Sequence, residues 1–209
     1  MKLNLKTIIR TLKDVRDYVI PIKKITSRFN SITSIEQLKI FIQERSAHVS
    51  QTTLYGYLKT RIGSRYAMMF EDKVFLESIN IAKWNIYMCA LSDCTLYTFS
   101  YLIDKKNLKK NDAESIFLSI IANEKNNGLN EKLFNETQVD FQNRIKTIDW
   151  NNYYLNDPFK KSSMALYKWS PIADDLKVLD KKIVINSIKL KWNLVENEFK
   201  ELTKNLSFN

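Results

Sequence analysis

Glycine and proline are nearly missing from this chain. Three of each stand among 209 residues, six in all, or roughly 3% where an average soluble protein has about 12%. Tight turns and phosphate-cradling loops are built from these two residues. A dinucleotide-binding fingerprint needs three glycines within six residues, and a P-loop needs two before its lysine. Gly56, Gly63 and Gly128 supply neither. A β-sandwich or barrel, with a turn every 8–12 residues, is equally hard to build. Few, long helices remain.

Histidine and cysteine are scarcer still. His48 is the only histidine, so a di-iron bundle site, which takes Glu-x-x-His from two helices, cannot form. Cys89 and Cys94 are the only cysteines. On one helix they lie about 140° apart, too divergent for a disulfide, and two free thiols fit a reducing cytosol. No metal and no cofactor is expected. Long uncharged runs are missing as well. Residues 1–20 carry charges every three or four positions, unlike a signal peptide. The most apolar stretch, 79–103, contains Asn80, Lys83, Asn85 and Asp93 and reads as a buried helix rather than a membrane span.

What is abundant is lysine. The formal net charge is +10, which favours anionic partners. Lysine outnumbers arginine 26 to 7, beside 20 asparagines, a pattern that a genome biased toward A and T also produces. The charge is uneven. Lys2, Lys6, Arg10, Lys13, Arg16, Lys23, Lys24 and Arg28 face only Asp14 and Asp17 in the first 30 residues. Leu5, Ile8, Ile9, Leu12, Val15 and Val19 share one side of a helix over 3–19. Lys2, Lys6, Arg10 and Lys13 would contact an anionic surface, such as the inner face of a membrane, or an acidic protein groove.

Helical spacing places further elements. Ser34 and Gln37 read as a capping box opening a helix that Gly63 ends. A helix over 71–103 carries a row of small or short residues, Ser78, Ala82, Asn85, Cys89 and Ser92, where another helix could approach closely. Shorter helices are expected over 111–126, 130–148 and 162–168. Ser170 and Pro171 read as the N-cap and first residue of a last helix reaching 206. Its inward residues are expected to be Ile172, Leu176, Leu179 and Ile183, then, after a phase shift or bend, Ile188, Trp192, Val195, Phe199, Leu202 and Leu206. The fold expected is all-α, a bundle of three long antiparallel helices (34–62, 71–103, 171–206) closed by shorter ones. Residues 1–30 form an appended helix and linker, and 31–209 a single domain.

Unusual residues concentrate between Arg45 and Asp72, including three arginines in a lysine-rich chain. Guanidinium is selected where planar, bidentate donation is needed. Arg45, His48, Thr52, Tyr55, Gly56, Lys59, Arg61 and Arg65 therefore form the candidate binding surface. A structural role, with the arginines capping the helix or pairing with Glu71 and Asp72, competes with it. Gly56 would let the small row of the 71–103 helix come close. His48 with Ser50 is a hydrolase alternative, although no G-x-S-x-G elbow is present. No RRM, KH or zinc-finger signature supports nucleic-acid binding, which rests on charge alone.

The segments TLYGYLKTRIGSRY (53–66), MFED (69–72), SINIAKW (78–84) and KWSPIADDLKVLD (168–180) together resemble a family of uncharacterised alphaproteobacterial proteins of similar length. The resemblance implies a bacterial cytosolic setting. Some members carry an esterase label, without a motif that assigns catalytic residues. The function expected is a non-catalytic binding or scaffold protein, peripheral to the inner membrane through its N-terminal helix. Its partner is a protein of unknown identity or an anionic membrane surface.

Overall fold

The computed structural model describes residues 31–108 and 112–206. It is all-α. Among the described residues six helices of ten residues or more follow in order: α1 (Ile35–Ile62), α2 (Lys73–Lys106), α3 (Asp112–Lys125), α4 (Glu131–Thr147), α5 (Lys160–Trp169) and α6 (Asp174–Leu202). Among the described residues no helix is long and apolar enough to cross a membrane. The amphipathic segment expected over 3–19, with Lys2, Lys6, Arg10 and Lys13, lies outside the described residues.

Short polar side chains open the helices. Ser34 Oγ accepts the Gln37 amide at 3.2 Å. Gln37 Oε1 reaches one residue further back than a capping box requires, accepting the Thr33 amide at 2.7 Å. Asp72 accepts the amides of Val74 and Phe75 ahead of α2, and Asn130 accepts that of Leu133 ahead of α4. Gly63 closes α1 at φ +62°, a conformation that favours glycine.

α2 is the centre. Residues 90–100 are buried without interruption, which places the expected apolar run inside the protein. α1 runs antiparallel to α2, with Ser46 Oγ donating to the Ala90 carbonyl. α1 is also antiparallel to α6, because Arg45 meets Glu198 while Arg61 meets Asp180. α6 meets α2 directly, with Phe199 5.9 Å from Tyr97 and 5.7 Å from Tyr101, and also through Phe159 ahead of α5, which stacks on Trp192 at 4.1 Å and sits 5.1 Å from Tyr97. On the other side Phe117 of α3 stacks on Phe141 of α4 at 3.8 Å.

Three local expectations need correction. Ser170 does not open α6. It ends α5, its amide and hydroxyl both donating to the Leu166 carbonyl. Pro171 disfavours a helical conformation in the residue before it, and Ser170 accordingly sits at ψ 128°. α6 begins only at Asp174 and ends at Leu202. Second, Leu176, Leu179 and Ile183 do not face inward. They are 40, 75 and 69% exposed. The buried row is Asp180, Val184, Ile188, Trp192, Val195 and Phe199. It forms one stripe along an uninterrupted helix, so the expected phase shift or bend is a shift between two stripes. Third, Gly56 does not sit in a close crossing. A β-carbon added there would meet nothing within 4 Å.

Candidate binding surface

The candidate residues of α1 divide by which way they point. Arg45 makes a bidentate pair with Glu198 of α6, at 2.7 and 2.6 Å. Arg61 pairs with the buried carboxylate of Asp180, which also accepts from Tyr57 Oη at 2.9 Å. The choice of arginine is thus explained by two clamps between α1 and α6. Glu71 and Asp72 are not their partners; Asp72 is occupied as the cap of α2. Tyr55 turns its hydroxyl into the protein, where it finds no partner among the described residues, and burial pushes its pKa up to about 12. Thr52, Gly56, Lys59 and Arg65 are exposed.

His48 lies in a shallow groove of about 220 Å³ between α1 and α6, with Arg45, Lys191, Leu194, Val195 and Glu198. Partial burial lowers its pKa, and the positive charges of Arg45 and Lys191 lower it further. Ser50 is not brought to it. The Ser50 hydroxyl is buried and donates to the Ser46 carbonyl at 2.7 Å. The two side chains are two residues apart on one helix and point about 200° apart. The groove therefore offers a half-buried imidazole, two cations and aliphatic surface, without a serine nucleophile at the histidine.

Two buried polar nodes were only half visible in the sequence. Asp93 lacks a partner on α2 and finds Arg144 of α4 at 2.6 Å and the Ser162 amide of α5 at 2.7 Å. Arg144 also donates to Ser92 and to Tyr153 Oη. Trp192 Nε1 donates to Ser162 Oγ, adding α6 to the chain of bonds. Burial raises the pKa of Asp93, with Arg144 pulling the other way. Glu124 of α3, fully buried, accepts from Tyr87, Gln43 and Asn127. Lys83 feels its charge and lies over the Trp84 ring, yet burial pulls the Lys83 pKa down to about 8. The free thiols Cys89 and Cys94 are pushed up to about 12 by burial, away from reactivity. These nodes join helices and open onto no groove that contains His48.

The surface that sequence reasoning missed is on α6. Leu176, Leu179, Ile183, Leu190 and Leu194 fall within about 60° of one another on the helix, and the last two are 65 and 63% exposed. Leu194 also lines the His48 groove, so row and groove are continuous. Aliphatic residues at helical spacing read as core. The contrary signal was that two stripes, not one, run along this helix.

Comparison with protein-family models, with curated proteins and with solved structures gives no match.

Proposed function

We propose that this chain is a non-catalytic helical binding protein. Its recognition surface is the outer α1–α6 side, formed by the His48 groove and the adjoining row on α6. Its basic N-terminal segment, residues 1–20, adds attraction to the inner face of a membrane. The observation that carries the reading is the exposed aliphatic row of α6. Single exposed leucines are ordinary, but contiguous apolar patches mark contact surfaces. Two further features support binding over turnover. Arg45 and Arg61 hold helices together, and Ser50 is bonded away from His48.

The test is site-directed crosslinking in cells. A photoreactive residue is placed at Thr52 or Leu190 on this side, or at Lys132, an exposed control on α4. Crosslinks to a protein or a lipid should concentrate at 52 and 190. Equal products at all three positions, or none at 52 and 190, reject the reading. Ester hydrolysis by the purified chain that disappears in His48→Ala would favour the hydrolase alternative.

A further inference from the structure

The exposed row on α6 has a shape and a charge pattern that name its occupant. We infer that the outward face of α6 between Leu176 and Leu194 is a contact surface for an anionic lipid bilayer. This rests on the binding-protein reading and specifies its partner.

Shape comes first. Leu176, Leu179, Ile183, Leu190 and Leu194 run along about 27 Å of helix at 1.5 Å per residue. On the helical wheel the centre of this row lies about 140° from the centre of the buried row. Leu176, Leu179, Ile183 and Leu190 therefore form an outward ridge, and only Leu194, at its end, also lines the His48 groove. A cleft suits an inserted peptide, whereas a straight outward ridge suits a plane. Helices that lie in a membrane interface bury such a row a few ångströms below the headgroups.

Charge narrows the occupant further. Between Leu176 and Leu194 the chain has five lysines, at 177, 181, 182, 189 and 191, and a single carboxylate, Asp180. Asp180 is buried under Arg61 and shows no charge to the outside. Lys182 flanks the ridge on one side and Lys191 on the other, while Lys189, on the side of Lys182, is paired with Asp157 at 3.0 Å. The aliphatic stems of Lys182 and Lys191 can follow the ridge down while the ammonium groups stay at phosphate level. Anionic lipid attracts each such lysine. Glu196, Glu198 and Glu201 follow Leu194 and end the basic tract. A second copy fits less well, because antiparallel pairing about the middle of the row would set Lys182 against Lys189 of the other copy.

The entry of the chain agrees with this placement. The Ile32 amide donates to the Leu202 carbonyl, so residue 32 sits at the far end of α6. That point is about 12 Å beyond Leu194 along the helix. Residues 21–31 can extend over roughly 35 Å, which lets residues 1–20 reach the same plane.

The test uses the full chain and vesicle flotation. Vesicles of phosphatidylglycerol with phosphatidylethanolamine are compared with phosphatidylcholine alone. The native chain should bind the anionic vesicles about tenfold or more tightly than the neutral ones. The variant Leu179→Glu/Ile183→Glu/Leu190→Glu should lose about tenfold or more of that binding with its melting curve unchanged, since all three side chains are exposed. Reversing charge at Lys2, Lys6, Arg10 and Lys13 should weaken binding while leaving its dependence on α6. If the α6 variant binds like the native chain and only the N-terminal variant fails, the inference is overturned and membrane attachment stands. If no vesicle is bound while Leu190 crosslinks to a protein, the lipid assignment falls and the binding reading stands. A native dimer that the α6 variant converts to monomer, without vesicle binding, assigns the ridge to a second copy. Crosslinks from Leu190 to residues 1–20 of its own chain assign it to the N-terminal segment. Either result overturns the inference.

Discussion

Arg61 of α1 clasps Asp180 of α6 while Tyr57 Oη donates to the same carboxylate. The position of Asp180 in the buried row decides which side of α6 looks inward. With Asp180 turned to α1, Val184 and Ile188 follow it into the core, and Leu179 and Ile183 are left in solvent. The pair thus connects interior packing to the composition of the outer surface.

Asp180→Ala should destabilise the protein by about 1–3 kcal/mol, because charge-assisted and neutral hydrogen bonds are lost together. The cost stays below that of a fully buried pair, since Arg61 remains one-third exposed and can turn to water. Asp180→Asn should cost less, retaining an acceptor for Tyr57. Urea unfolding with an unchanged slope is the measurement. An unaltered midpoint in Asp180→Ala would show that the clasp contributes nothing.

Asp93 and Arg144 predict a steeper loss. Asp93 is wholly buried and the Arg144 side chain is 18% exposed. Arg144→Ala strands the carboxylate and should cost about 3–5 kcal/mol near neutral pH. Burial already raises the Asp93 pKa, and losing the guanidinium raises it further. A folded-state pKa above the unfolded value means that folding takes up a proton. The variant's deficit should therefore shrink as pH falls from the variant's raised pKa to that of native Asp93, which itself lies above 3.8, and persist above that window. Asp93→Leu combined with Arg144→Met should recover part of the loss. A deficit independent of pH would rule out the stranded charge as its cause.

Helix existence was legible because punctuation and periodicity agreed. Ser34 and Gly63 bound α1, and the stretch 79–103 carries apolar residues on most of its circumference, so its central placement needed no choice of face. α6 failed for a physical reason. It has aliphatic residues on two faces, and periodicity cannot say which one is buried. The deciding residue was Asp180, a carboxylate that no apolar pattern would place inside. Its partners lie 119 and 123 residues away on α1, a tertiary contact invisible to a local window. The arginine enrichment at 45–65 was real, but the same guanidinium geometry serves a clamp and a ligand. Asp93 stood out as a charge in the most apolar stretch, and only the fold could supply Arg144.

Lys83 gives a prediction on the alkaline side. Its pKa is pulled down from 10.5 to about 8 by burial, which outweighs the attraction of Glu124. Between those values the unfolded chain holds a proton that the folded one has released, so stability rises with pH across that window. Below about pH 8 both states are protonated and the burial penalty stands in full. Lys83→Met should therefore be more stable than the native chain at pH 7 by about 1–3 kcal/mol. It should also lose the rise between pH 8 and 10. Urea midpoints at several pH values test this. Parallel curves for the two proteins would mean that the lysine is not desolvated in the fold.

The two faces of α6 give the most economical check on the fold. Val184 and Leu179 are five residues apart on one helix, both aliphatic, with 1 and 75% exposure. If the sequence pattern had named the buried face correctly, Leu179 would be core and Val184 surface. The clasp at Asp180 reverses that order. Val184→Ala removes two buried methyl groups and should cost about 1–2.5 kcal/mol through lost transfer energy and a residual cavity. Leu179→Ala removes more carbon and should cost less than about 0.5 kcal/mol, because Leu179 is 75% exposed and alanine is the better helix former. Thermal unfolding of the two single variants suffices. A larger loss for Leu179→Ala would place the ridge inside the protein, and with it would fall both the orientation of α6 and the surface proposed for lipid.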